Sequence, residues 1–157
     1  MTLTDLCEKL RNWFDVDRHF GEFTIENGTI DLDFIREGQF YRLIGSKQDG
    51  IYFVENYKKL MFVKSISEGT QSDFNIDGIE AKDETFKGAI WELSFPLNFV
   101  LFYTNVCDWE TKNADVLNSP FQSESFGGYS YSKASGSNGS LTVWDNFASD
   151  LARWQKK

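Results

Sequence analysis

Apolar positions recur with a helical period at both ends of the chain and with a two-residue period in the middle. Near the N-terminus, Thr2 followed three residues later by Asp5 is typical of a helix N-cap. Apolar residues then recur at helical spacing: Leu3, Leu6, Leu10, Trp13 and Phe14. The pattern predicts a short amphipathic helix that begins after Thr2.

The middle of the chain contains two candidate β-hairpins. Residues 22–32 carry Asn27-Gly28 between alternating residues, which favours a two-residue turn. Such a turn would place four apolar side chains on one face, as the pairs Ile25 with Ile30 and Phe23 with Leu32. Residues 39–54 predict a second hairpin that turns around 46–50, where Asp49-Gly50 stands. Further strands are expected at 60–66 and 89–95.

A third region, near residues 96–110, predicts a buried helix. Pro96 suits a helix start, and the residues after it, LNFVLFYTNVCDW, are apolar on nearly every side. The run is shorter than the about 20 residues that a membrane-spanning helix needs. We therefore expect this helix inside a folded domain.

The last quarter of the chain divides into an arm and a helix. Residues 119–140 are rich in Ser, Gly and Tyr, which predicts a flexible arm. Residues 141–157 predict an amphipathic helix capped by Thr142, with an apolar stripe at Trp144, Phe147, Ala148, Leu151 and Trp154. Together with an α+β core domain over 1–118, these segments define the expected organisation. The predicted fold class is α+β, with an N-terminal helix and an antiparallel hairpin middle.

The amino-acid composition argues against several classes of function. The chain has 157 residues, of which 41% are hydrophobic and 17% aromatic, so a folded globular domain is expected. Its formal charge of −8 argues against general DNA binding, which needs a local excess of Lys and Arg. Two cysteines make no disulfide framework, and the N-terminus does not resemble a signal peptide. We expect the chain to fold in the cytoplasm.

The sharpest motif is a calcium-type loop at residues 73–84. Oxygen-bearing side chains stand at the first, third, fifth and twelfth positions of the loop: Asp73, Asn75, Asp77 and Glu84. Gly78 occupies the sixth position, but Glu80 replaces the usual aliphatic residue at the eighth, and the flanks do not resemble helices. The segment is either a calcium site or an acidic surface loop between strands. No other cofactor is expected.

Signals for catalysis are absent from the sequence. His19 is the single histidine, so no multi-histidine metal site can form within one chain. The sequence contains neither a G-x-S-x-G elbow nor a phosphate-binding glycine motif, and nothing selects one carboxylate pair as an acid and base. No catalytic residue is predicted, and a non-enzymatic protein is expected.

Aromatic residues near the C-terminus are candidates for protein contacts. Trp144, Phe147 and Trp154 recur on the helical stripe, which favours burial in the core or in an interface. The aromatics of the arm alternate on a Gly/Ser-rich background, which suits either an arm that pairs with a neighbour or a loop. These arm residues are Phe121, Phe126, Tyr129 and Tyr131.

Several segments resemble a known family. Residues 123–131, SESFGGYSY, follow a predicted buried helix and precede a terminal helix. This arrangement is similar to the C-terminal part of head–tail connector proteins, also called adaptor or head-completion proteins, of long-tailed bacteriophages. The segments GQFYRLIGS, DGIYFV and DETFKGAIW also resemble small structural proteins encoded in phage head–tail gene blocks.

The resemblance implies a structural virion protein that assembles as a homo-oligomeric ring between portal and tail. Its implied partners are copies of itself, the portal protein and tail-side connector or terminator proteins, with no membrane and no sequence-specific nucleic acid. DNA would only pass through the ring. Assembly would occur in the host cytoplasm. Two alternatives stay open: a calcium-dependent binding module that uses the 73–84 loop, and a tail-completion or terminator subunit.

Overall fold

A computed structural model describes residues 1–68, 74–113 and 143–156. The chain forms an α+β fold with an N-terminal helix and an antiparallel middle, as the sequence predicts, and the described strands form one six-stranded sheet. In chain order the elements are α1 (Leu3–Leu10), β1 (Asp15–Ile25), β2 (Phe40–Ile44), β3 (Gly50–Val54), β4 (Leu60–Glu68), β5 (Phe74–Glu80), β6 (Glu84–Leu93), α2 (Leu97–Lys112), α3 (Val143–Asn146) and α4 (Ala148–Trp154).

The N-terminal helix begins with reciprocal capping. The Thr2 hydroxyl accepts a hydrogen bond from the Asp5 backbone N–H, and the Asp5 carboxylate accepts one from the Thr2 N–H. Both bonds satisfy donors that the first helical turn leaves unpaired. One face of α1 is buried through Leu3, Leu6, Cys7 and Leu10.

Strands lie in the order β1-β6-β2-β3-β4-β5. The outer strands β1 and β5 therefore form the two edges of the sheet. β2 and β3 are the hairpin predicted over 39–54, with Phe40 opposite Phe53. β6 lies between β1 and β2, and Gly88 permits a close approach there, because a Cβ atom would lie 1.9 Å from the Ile44 carbonyl oxygen.

The pairing predicted for residues 22–32 is wrong beyond its turn. The chain reverses at Asn27-Gly28, both with positive φ, and the Glu26 and Thr29 backbones exchange two hydrogen bonds. However, no strand follows the turn, and β1 instead pairs along its length with β6, which places Phe23 opposite Phe86. Ile25 and Ile30 are both buried, so the apolar face is kept without the predicted ladder.

Both faces of the sheet are covered. On the face that we call the helix face, α1, α2, α3 and α4 pack over a cluster that includes Ile51, Val63 and Phe99. On the opposite face, which we call the loop face, the connection 26–39 covers a second cluster around Tyr41. Tyr41 fixes that connection, because its hydroxyl donates to the Phe34 carbonyl and accepts from the Arg36 N–H.

The later helices complete the helix face. Pro96 precedes α2, whose buried residues include Phe99, Phe102 and Tyr103, although Leu97 is 63% exposed. The helix is therefore buried on one side rather than all round. In the C-terminal region, the Asn12 side-chain amide donates to the Trp154 carbonyl, which ties the end of α4 to the loop after α1.

Candidate functional site

Of the aromatic residues predicted as interface residues, two have described side chains. Phe147 contacts Phe102 and Trp109, and Trp154 contacts Phe14 and Phe99, all within the same chain. Both side chains are partly buried against the core, which is one of the two alternatives that the helical stripe left open. The arm residues Phe121, Phe126, Tyr129 and Tyr131, the capping Thr142 and the side chain of Trp144 lie outside the described residues.

Most of the described part of the proposed calcium segment is a strand, since 74–80 form β5 and only 81–83 form a connection to β6. Asn75 and Asp77 lie on β5, opposite Ser67 and Ser65 of β4. The sequence-based assignment of this part to a loop is therefore wrong, because a paired strand cannot wrap its oxygens around one ion as a twelve-residue loop does. Asp73 lies outside the described residues.

Glu84, the last residue of that motif, has a different contact set. Its carboxylate accepts hydrogen bonds from the Ser46 hydroxyl at 2.6 Å, the Lys47 N–H at 2.8 Å and the Gln48 side-chain amide at 2.9 Å. These bonds hold the pKa of Glu84 below its usual value, and the bond from Ser46 contributes most. Glu84 thus fixes the β2–β3 turn from the start of β6.

A cluster that sequence reasoning missed lies on the loop face at the sheet edge. His19 on β1 places its Nε2 atom 2.6 Å from Glu92 Oε2 on β6 and 3.7 Å from Asp17 Oδ2. One ligand atom from each residue lies within 4.8 Å of the others. An Asp-x-His pair on a strand is a local signal for a shared face, but Glu92 is 73 residues away in sequence.

Neighbouring groups hold each member of this cluster in place. The His19 ring stacks on Phe34, with centroids 3.7 Å apart and planes 9° from parallel. Glu92 Oε1 accepts from Arg36 at 3.2 Å, and Asp17 Oδ1 accepts from the Arg18 N–H at 2.9 Å. Each carboxylate therefore has one oxygen held by a donor and its other oxygen directed at His19.

The helix face carries a second polar feature near the same edge. The Arg42 guanidinium lies 3.6 Å from the ring centroid of Trp13 and 4.6 Å from that of Trp91, and Arg18 lies 3.9 Å from Trp91 on β6. Cation–π attraction and the apolar stems stabilise such a stack. Desolvation by burial lowers the pKa of Arg42. Within the described residues, Trp91 Nε1 is buried without a hydrogen-bond partner.

The two sheet edges expose apolar side chains. On β1, Val16 is 67% and Phe20 75% exposed, and on β5 Ile79 is 54% exposed. Within the described part of the chain, the outer side of neither strand is paired with another strand. Unpaired backbone groups beside apolar side chains are the features by which another strand adds to a sheet.

The two thiols are unsuited to nucleophilic chemistry. Cys7 and Cys107 are both buried and unpaired in a disulfide. Burial raises the pKa of each thiol, so the reactive thiolate is disfavoured. This agrees with their position on apolar helix faces.

Among the described residues, no helix is long and apolar enough to cross a membrane. No protein-family model matches the sequence, and no curated protein or solved structure matches it either.

Proposed function

We propose that this chain is a structural protein of a tailed-phage virion, a head–tail connector protomer that assembles as a ring between portal and tail. The support comes from the resemblance of residues 123–131 and of the β2, β3 and β6 segments to that class. A non-enzymatic role is part of the proposal. Its partners would be copies of itself, the portal protein and tail-side connector or terminator proteins.

The observation that carries the proposal is the edge strand β1. It has 11 residues, and Val16 and Phe20 on it are largely exposed. Natural monomeric proteins usually protect long edges with charge, proline or a covering element, because an open edge recruits other strands. β1 carries some protection, from the charges of Asp17, Arg18 and Glu22 and from a bulge beside Asp15. The exposed apolar side chains of Val16 and Phe20 are nevertheless suited to contact with a neighbouring subunit.

The two edges also suit closure into a ring. A contact between β1 of one subunit and β5 of the next would join two different surfaces. Such heterologous contacts close into rings when the rotation between subunits allows it, whereas contact of identical surfaces gives a dimer. In this proposal, Phe20 and Ile79 lie at the subunit contact.

The negative net charge of the chain is better suited to a ring through which DNA passes than to a surface that binds DNA. The chain carries a formal charge of −8, and like charge repels the phosphate backbone. A ring of such subunits would let DNA pass without holding it. The proposed location is the virion, with assembly in the host cytoplasm and without contact to a membrane.

The arm completes the proposed assembly. We place Phe121, Phe126, Tyr129 and Tyr131 against a neighbouring subunit or the portal, because aromatic side chains are enriched at interfaces and bury large areas there. Trp144, Phe147 and Trp154 would support that contact from the C-terminal region. The contacts of Phe147 and Trp154 within the chain bury only part of each side chain.

A phage that carries this gene provides the test. We expect Phe20→Lys to fail to complement a deletion of the gene, because a lysine at the edge opposes strand addition. Tyr57→Lys is the matched control, since Tyr57 is 87% exposed but lies in the turn before β4. Circular dichroism of both purified variants verifies folding. Full complementation by Phe20→Lys would refute the edge contact.

Electron microscopy of the deletion phage separates the proposed layer from its alternative. DNA-filled heads without tails are expected for a connector. Normal heads beside tails of abnormal length or end structure would instead indicate a tail-completion or terminator subunit. Fully infectious particles would contradict both structural roles.

A further inference from the structure

We infer that Asp17, His19 and Glu92 form a binding site for a divalent metal ion of the zinc class. The three side chains offer one imidazole nitrogen and two carboxylate oxygens, which lie within 4.8 Å of one another. This inference is independent of the proposed virion role. It concerns the loop face of the sheet where β1 and β6 pair.

The distances allow the three atoms to share one ion after small side-chain movements. Tetrahedral zinc with ligands at about 2.1 Å requires ligand atoms about 3.4 Å apart. His19 Nε2 lies 3.7 Å from Asp17 Oδ2 and 2.6 Å from Glu92 Oε2. Zinc would bind Nε2 of the ring in its Nδ1–H tautomer, and the proton that now bridges His19 and Glu92 would pass to Nδ1 or to solvent.

The surroundings resemble the outer shell of a metal site. Metal-binding side chains are usually oriented by a second group. Arg36 donates to Glu92 Oε1 and the Arg18 N–H donates to Asp17 Oδ1, so neither donor occupies the oxygens that face His19. Phe34 stacks on the ring and limits its rotation.

The ligand set selects the class of ion. Calcium and magnesium prefer sites made wholly of oxygen. An imidazole nitrogen favours zinc and its neighbours among the transition metals. Three protein ligands leave a fourth position for water, and Asp17 is 62% exposed, so an ion can enter from solvent.

An occupied site would join β1 to β6, and the ligands would stay in contact with the connection 26–39. Asp17 lies at the bulge that interrupts the β1–β6 register, and Phe34 and Arg36 belong to the connection 26–39. An ion that binds the folded state alone also stabilises it by mass action. Zinc would therefore fasten β1 to β6 beside the bulge.

The single histidine makes a direct test practical. In tag-free protein every imidazole NMR signal belongs to His19. Titration with zinc chloride should shift these signals, and the ¹⁵N spectrum should show Nε2 as the bound nitrogen. We expect Asp17→Asn and Glu92→Gln each to weaken the apparent affinity at least about tenfold. Glu22→Gln, on the same strand, should leave it unchanged.

The variants also exclude binding at other places on the acidic surface. Zinc that shifts the His19 signals equally in wild type, Asp17→Asn and Glu92→Gln would refute the three-ligand site. Signals unchanged at millimolar zinc would refute binding altogether. A rise in the melting temperature with zinc that is lost with chelator and reduced in Asp17→Asn would support the site by a second measurement.

Discussion

Glu84 shows how one side chain can serve two parts of the sheet. It begins β6, yet its carboxylate accepts hydrogen bonds from Ser46, Lys47 and Gln48 in the turn between β2 and β3. Because these donors favour the ionised form, its folded-state pKa lies below its usual value of 4.5. Linkage then requires this stabilisation to be complete above that value and to be lost as the pH falls through the folded-state pKa.

We predict that Glu84→Gln lowers the urea midpoint at pH 7, because a neutral amide is a weaker acceptor than a carboxylate. The difference between the wild type and this variant should shrink as the pH falls from 4.5 through the lower folded-state pKa, where the carboxyl of the folded wild type becomes protonated. Glu22→Gln, which removes an exposed carboxylate from β1, is the control. A difference that stays constant down to pH 3 would contradict the linkage.

At this scale, the sequence predicts local contacts and misses distant ones. Thr2 and Asp5 could be predicted as a cap because the motif needs only three residues of separation. Asp17 and His19 are only two residues apart, but their shared face could not be predicted, because residues 15–21 gave no strand pattern. Their contact with Glu92 was also beyond prediction, since it depends on the β1–β6 register and on the bulge between Asp15 and Asp17.

Strands could be predicted from the sequence where their apolar residues follow the pattern of a buried strand. The 39–54 hairpin combined β-branched and aromatic residues with a turn signal, and its two strands formed as β2 and β3. β1 gave no such pattern, because polar or exposed residues occupy both of its faces from Val16 to Glu22. β5 could not be predicted as a strand, because it contains Asn75, Asp77 and Gly78, and Asn, Asp and Gly are depleted in strands. The same residues have the spacing of a calcium loop, which favoured the wrong prediction.

The α4 helix allows a test of how firmly the C-terminal region is attached. Leu151 is buried in the same cluster as α1 and α2. We predict that Leu151→Ala lowers the free energy of unfolding by about 2–4 kcal/mol, from lost burial and the cavity left behind. Arg153→Ala, at an exposed position of the same helix, should change it little. Urea denaturation followed by tryptophan fluorescence measures both.

If Leu151→Ala left the midpoint unchanged, α4 would not be packed on the domain in solution. Phe147 and Trp154 would then be available to a neighbouring subunit in full rather than in part. This result would move the proposed interface toward the C-terminal helices. The same measurement therefore bears on stability and on assembly.

In the molecule as a whole, the two faces of the sheet are covered within the subunit, whereas its two edge strands, as far as the chain is described, are open to other subunits. Helices cover one face of the sheet and the connection 26–39 covers the other, so both faces are used within the subunit. Among the described strands, β1 and β5 have an unpaired side that another subunit could use. An assembly that used them would extend the sheet from subunit to subunit and would leave the two cores unchanged.

The last prediction concerns the protease sensitivity of the arm, residues 119–140. Chymotrypsin cleaves after aromatic residues, and residues 119–140 contain Phe121, Phe126, Tyr129 and Tyr131 among many Ser and Gly. We expect rapid cleavage there in the free protein, because ordering such a sequence has a high entropic cost. In virions, burial against a neighbouring subunit should slow cleavage strongly, which mass spectrometry of the fragments can measure. Particles dissociated before protease treatment are the control and should regain the rapid rate. Equal protection of the free protein would mean that the arm packs on its own subunit, and the proposed assembly would then depend on the strand edges alone.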